Sequence, residues 1–213
     1  RADSDPGIRV VLIRGAQGTF CAGADLNVPW DEMPDRDDLV AAALCKTGNF
    51  GKPVVAAIRG ACVAGGLELV LSSDVRVASI DARIGLPEVR WGIFPSGGAA
   101  LKLTDQISYS NALSMLLTGD PISGLEAGQI GLVSHVVSDD LVEELALSLA
   151  WKICRNSPRV AQGVKRYVAM GRADRYAARE IEERRISQEI RASEDKVIGI
   201  TAFLNKSTPD YEN

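Results

Sequence analysis

The sequence predicts an α/β fold in which a strand-rich front half leads into a helical back half. Three observations carry that reading. Short β-branched runs, "IRVVLIRG" (8–15), "PVVAAIRG" (53–60) and "DVRVAS" (74–79), each end at a turn signal or at small residues. Two of them end in Arg-Gly and open into loops of small residues, which is the pattern of a layered repeat delivering its loops to one side. Finally, "DDLVEELALSLAWKICRN", "SPRVAQGVKRYVAMG" and "DRYAAREIEERRISQEIRASEDKVIGITAFLNK" are amphipathic at helical spacing. The division falls near residue 138, with a core at 1–138 and a helical region at 139–213.

Between the first two strands, "WDEMPDRDDLVAAALCKTGNF" is polar, then helical, then loop. It reads as a mobile insertion ending in a helix near 37–46. After the second strand, "RGACVAGGLELVLSSD" (59–74) turns into a short buried helix from Gly66 onward. Further on, "SYSNALSMLLTG" has Ser108 as an N-cap and Gly119 as a stop. "SGLEAGQIG" is a short helix and "LVSHVVS" a last strand. Gly-Arg-Ala-Asp at 171–174 is the expected hinge between the last helices.

Composition excludes several classes. With 46% hydrophobic and 24% charged residues, the 213-residue chain has the balance of an ordinary globular protein. A net charge of −4 argues against a general nucleic-acid surface. No apolar run is long enough to span a membrane. Cys21, Cys45, Cys62 and Cys154 have no Cys-x-x-Cys spacing, and His135 is the only histidine, so no metal site is expected. Unframed cysteines fit a reducing compartment, and a cytoplasmic location is expected. Cys21 has no histidine near it in sequence to activate it as a nucleophile. The chain opens on Arg1 rather than Met, so an upstream segment is expected.

Two small-residue loops raise the question of what approaches them. "TFCAGADL" (19–26) follows a core strand, and small residues permit close approach to the backbone. In "VAGGLELV", a helix begins where bare N–H groups of Gly65 and Gly66 would face a ligand. Neither a Walker loop nor a dinucleotide fingerprint is present. Glu68 sits between Leu67 and Leu69, and Glu88 lies among Leu86, Pro87, Val89 and Trp91. An apolar setting costs a carboxylate its charge unless it is paired or used. The structural alternative for each is a salt bridge, with Arg76, Arg83 and Arg90 as candidate partners.

Taken together, these features resemble the crotonase, or enoyl-CoA hydratase/isomerase, superfamily. The stretches "VVLIRGAQGTFCAGADL", "PVVAAIRGACVAGGLELVLSSDVRVAS", "RIGLPEVRWGIFPSGGAALKL", "GDPISGLEAGQIGLVSHVV" and "AFLNKSTPDY" match it in order and spacing, from about Asp5 to the end. The resemblance implies a spiral of ββα repeats followed by a C-terminal helical trimerisation region. It implies an acyl-CoA thioester substrate whose carbonyl oxygen is held by the backbone N–H groups of Ala24 and Gly65. It also implies that Glu68 and Glu88 hold one water, Glu68 taking its proton during attack on Cβ and Glu88 protonating Cα. Substrate or CoA contacts are implied for Ala22, Asp25, Gly66, Phe203 and Lys206, and for Phe94 at the border of the acyl pocket, with no cofactor beyond the CoA that the substrate carries. Asn27 stands where many relatives have Lys, and the family's Asn-Arg-Pro-like CoA-binding segment is not among these residues. The implied assembly is a homotrimer or dimer of trimers, with no nucleic-acid or membrane partner. The resemblance makes 2-trans-enoyl-CoA hydration the leading expectation. Enoyl-CoA isomerisation, carnitinyl-CoA-type dehydration, acyl-CoA hydrolysis and a noncatalytic RNA-binding role are the alternatives.

Overall fold

The computed structural model describes residues 2–28, 33, 35–46 and 50–211. Among the described residues, seven strands form two sheets. Strands β1 (Val11–Arg14), β2 (Val54–Ile58), β4 (Val75–Ser79) and β7 (His135–Val137) make one parallel sheet in the order β1-β2-β4-β7. Strands β3 (Ala61–Val63) and β5 (Arg83–Gly85) run parallel in the second sheet, and β6 (Ile122–Ser123) pairs antiparallel with β5. Each turn of the chain therefore lays one strand in each sheet: β2 then β3, and β4 then β5. Helix α2 (Gly65–Val70) follows β3, and a 3-10 turn (Pro87–Trp91) follows β5. This is the expected spiral.

The register of β2 explains why it is apolar at every position. A parallel strand inside a sheet is covered on both faces. Ala56 and Ile58 point into the main core with Leu67, Val70, Ile84, Leu86 and Leu103. The alternate residues Val55 and Ala57 face Val142, Ala146 and Ala150 of helix α6 (Val142–Cys154). Side chains alternate along a strand, so one run feeds two cores.

The remaining helices are α1 (Arg36–Ala43), α3 (Ala99–Thr104), α4 (Tyr109–Thr118), α5 (Gly124–Gln129), α7 (Pro158–Arg191) and α8 (Glu194–Leu204). Ser108 caps α4 by accepting from the Asn111 N–H, and Gly119 ends it at φ +68°. Helix α5 opens with a capping box, in which Ser123 and Glu126 satisfy each other's backbone N–H groups. Helix α1 lies within the expected insertion, but starts at Arg36 and stops at Ala43, with Leu44–Lys46 in a turn. Residues 30–32, 34 and 47–49 of that insertion lie outside the described residues.

The hinge expected at 171–174 is not a break. Helix α7 runs unbroken for 34 residues, and the chain turns instead at Ala192 and Ser193. Gly171 meets nothing within 4 Å of where a Cβ would stand, so no packing forces a bend there. An exposed glycine costs a helix about 1 kcal/mol, which good helix formers on either side absorb. Helix α8 then returns across the Pro87–Trp91 turn, with Gly199 against the Trp91 backbone, where a Cβ would lie 2.2 Å from the Trp91 carbonyl carbon.

Candidate active site

The two small-residue loops are locked together by backbone. The Cys21 N–H donates to the Ala61 carbonyl and the Val63 N–H to the Cys21 carbonyl, at 2.9 and 3.0 Å. Gly66 is pressed onto the same carbonyl, and a Cβ there would stand 2.5 Å from the Cys21 oxygen. Gly23 adopts φ +91°, and a Cβ on it would lie 2.8 Å from the Ala64 Cβ and 3.6 Å from the Gly65 nitrogen. Glycine is required at both positions for the loops to meet.

Ala64 turns strand into helix. Its φ of 52° and ψ of −126° are strained for a residue with a Cβ. The Ala64 N–H is held by the Gly85 carbonyl at 3.0 Å, and its own carbonyl accepts the Glu68 N–H at 3.1 Å. The N–H groups of Ala24 and Gly65 donate to no acceptor among the described residues. Ala22, Ala24 and Asp25 are exposed, Gly65 is half-buried and Gly66 buried. The Asp25 carboxylate accepts from the Asn27 N–H and side-chain amide, both at 2.9 Å, which holds its pKa below the usual range.

Glu68 lies in the first turn of α2, and its side chain reaches the Gly97 N–H, which donates to Oε1 over 2.6 Å. Glu88 follows Pro87 in the 3-10 turn, and its own carbonyl accepts the Ile93 N–H at 3.1 Å. Both side chains are buried, at 5% and 8% exposure. Burial pushes Glu68 up to about 7, with the Gly97 amide pulling the other way. Burial first and then the neighbouring Glu68 charge push Glu88 up to about 8. Glu88 Oε2 is buried and finds no hydrogen-bond partner among the described residues. Two carboxylates thus share one buried site, which favours one proton between them.

Two of the arginines suggested as salt-bridge partners are committed elsewhere. The buried Arg76 guanidinium donates to the Leu132 carbonyl at 2.9 Å and the Ser73 carbonyl at 3.1 Å, and to Gln106. Arg90 pairs with Asp120 at 2.8 Å. Phe94 is half-buried in the segment joining the Glu88 turn to Gly97. Phe203 of α8 packs edge-on to Trp91, with ring centroids 5.1 Å apart, and is 41% exposed. Lys206 is exposed just past α8, its N–H on the Phe203 carbonyl. The structure therefore groups the loop segments Gly23–Ala24 and Gly65–Gly66, and it groups Glu68 with Glu88, whereas Phe203 packs on Trp91 and Lys206 lies past the end of α8.

Sequence reasoning missed the residues behind Glu68. Lys102 on α3 is 2% exposed, and its Nζ donates to Ser72 Oγ at 2.7 Å and to the Cys45 carbonyl at 3.3 Å. Burial brings Lys102 down to about 8, while its charge favours the ionised form of Glu68. The Gly-Gly pair after Ser96 was the one local signal, since paired glycines mark close backbone approach.

A model of the enoyl-CoA hydratase/isomerase family matches residues 1–213. The chain belongs to the enoyl-CoA hydratase/isomerase family. It is 39% identical to the 2,3-dehydroadipyl-CoA hydratase of Escherichia coli over 219 residues, covering 99% of this chain and 84% of that one. It is 36% identical to the enoyl-CoA hydratase EchA19 of Mycobacterium tuberculosis over 228 residues, covering 100% of this chain and 83% of the other. Among solved structures, EchA1_1 of Mycobacterium paratuberculosis superposes with a TM-score of 0.90 at 33% identity, over 99% of this chain and 83% of that one. The crotonase fold of this family accounts for the two stacked sheets and for the C-terminal helices. No helix among the described residues is long and apolar enough to cross a membrane.

Proposed function

We propose that the protein adds water across the double bond of a 2-trans-enoyl-CoA to give the 3-hydroxyacyl-CoA. The observation that carries this is the pair Glu68 and Glu88: buried, close enough that the Glu68 charge raises Glu88, and poised about 7 and about 8. An acid and a base side by side near neutral pH suit a reaction that removes one proton and delivers another.

In this reading the thioester oxygen accepts from the Ala24 and Gly65 N–H groups. The start of α2 at Gly65 places partial positive charge there. Ionised Glu68 takes a proton from water as its oxygen bonds to Cβ. The π electrons move toward Cα, and the negative charge of the enolate falls on the held oxygen. Protonated Glu88 then gives its proton to Cα. The turnover leaves Glu68 protonated and Glu88 ionised, and one proton passing between the neighbours restores the start. The Gly97 N–H holds Glu68 Oε1 and leaves Oε2 for the water. The balance closes with water alone, so this reading calls for no cofactor.

The same reading gives Ala22, Asp25 and Gly66 to the CoA channel, Phe94 to the acyl pocket, and Phe203 and Lys206 to the nucleotide end. The assembly is read as a homotrimer or a dimer of trimers. Exposed Trp151, Val160, Val164 and Tyr167 on α6 and α7 support that, because large apolar side chains on adjacent helices suit a second copy. A cytoplasmic setting accords with four free cysteines.

The test is crotonyl-CoA turnover, followed by loss of the conjugated absorbance. Glu68→Gln and Glu88→Gln should each lower kcat by roughly 10²–10⁴ while CoA affinity holds. Full activity in the double variant would refute the assignment.

A further inference from the structure

The far end of α7 reaches the back of the site. Glu183 lies 3.0 Å from Lys46 Nζ, and the two side chains are only 14% and 12% exposed. A pair that shielded is unlike the exposed ion pairs that contribute little. Lys46 follows α1, and its stem passes the turn that holds Glu68: a Cβ on Gly98 would stand 3.4 Å from Lys46 Cγ. Burial pushes the Glu183 carboxyl above its usual range, with Lys46 and then the Gly98 amide pulling the other way. One end of the turn, Gly97, thus holds Glu68, while the other, Gly98, lies against Lys46, which pairs with Glu183. Ser96, the next residue back, lines the same small cavity as Lys46, Glu183 and Ser187.

We propose that Glu183 is a positioning residue for Glu68: with Lys46 it clamps the Gly97–Gly98 turn and so fixes the carboxylate that activates water. This rests on the hydration reading above. Asp37, Arg184 and Arg191 line the same cavity as Lys46 and Glu183, so the pair sits among further charges. Glu68 faces Glu88 and Glu183 as like charges and Lys102 as an opposite one. Glu183 faces Lys46 as its opposite charge, with Glu180 beside it on the same helix, and Lys102 also lies within its influence. The Glu183 charge opposes ionisation of Glu68 and the Lys102 charge favours it. Docking of α7 thereby sets both the place and the protonation of the base.

The experiment uses the full chain and two substitutions. Glu183→Gln keeps the shape and removes the charge. It should move the acidic limb of the kcat/KM profile for crotonyl-CoA to lower pH, and the carbon NMR titration of the Glu68 carboxyl should move with it. Glu183→Ala removes the clamp. It should lower kcat about tenfold with KM little changed, because a slightly misplaced base costs rate rather than binding. Lys46→Gln added to Glu183→Ala should cost no more than Glu183→Ala alone, since the two act as a unit. An unmoved Glu68 titration in Glu183→Gln, or wild-type kcat in Glu183→Ala, overturns the proposal. Full activity in Glu68→Gln instead ends the hydration reading. The substrate-free NMR titration still reports on the clamp in that case, so the two failures are distinguishable.

Discussion

Gly97 donates its backbone N–H to Glu68 Oε1 over 2.6 Å, and only the absence of a side chain on Gly97 permits that contact. A Cβ on Gly97 would stand 2.4 Å from Glu68 Oε2 and 2.5 Å from Leu44 Cδ1. Both atoms are the ends of flexible side chains, so the fold can yield by rotating Glu68 away. Gly97→Ala is therefore expected to keep most of its stability and to lose roughly 10²-fold in kcat. Steady-state kinetics with crotonyl-CoA alongside a melting curve checks this. A variant that unfolds, or one with wild-type kcat, would show that the glycine serves packing alone.

The same two carboxylates set the pH profile. Activity in the proposed direction needs Glu68 ionised and Glu88 protonated. Glu68 is poised at about 7 and Glu88 at about 8, so kcat/KM should rise through the first value and fall through the second. The expected profile is a narrow bell whose limbs belong to the pair rather than to either residue. Glu88 is still neutral while Glu68 titrates, so the residual activity of Glu88→Gln should keep the acidic limb near its place and lose the basic one. Rates across pH 5 to 10 decide it, and a flat profile through neutrality would oppose the assignment.

Stability carries the opposite face of that argument. Both groups ionise at higher pH in the folded protein than at the ordinary value of 4.5. The folded state thus binds more protons than the unfolded state between that value and about 8. A raised carboxyl pKa contributes its stability below the unfolded value and loses it as pH rises through the folded one. Glu88→Gln should therefore stabilise the protein at pH 9 by on the order of a few kcal/mol more than at pH 4. Urea midpoints at the two pH values measure the difference, and equal effects at both would contradict the burial of an ionising group.

Local signals were readable where local physics decides. The run "PVVAAIRG" announced a strand, and the structure adds that Val55 and Ala57 face α6 while Ala56 and Ile58 face the main core. Ser108, Gly119 and the start of α5 at Gly124 behaved as their side chains and backbone freedom dictate. Glu68 and Glu88 were visible as carboxylates among apolar neighbours. Their pairing came from the family resemblance and not from their own pattern, because salt bridges to Arg76 or Arg90 read equally well until the fold committed those arginines to Gln106 and Asp120. The Lys46–Glu183 pair was hidden for a plainer reason: nothing in either segment's own pattern marks a partner on another element.

Gly171 is the clearest case of a local signal outvoted, and it yields the last prediction. Glycine followed by Arg-Ala-Asp suggested a hinge, yet α7 passes straight through it. The glycine has ordinary helical backbone, since it is absent from the positive-φ residues, and a Cβ there meets nothing within 4 Å. Gly171→Ala should then remove a helix penalty and part of the unfolded chain's freedom without any clash. The expected gain is about 0.5–1 kcal/mol, or roughly 1–4 °C in melting temperature for a chain of this size. Activity should stay at the wild-type level, because a rigid α7 is what carries Glu183 to the site. If Gly171→Ala instead lowers kcat, the helix must bend during turnover, and the unbroken α7 would be one of two working shapes.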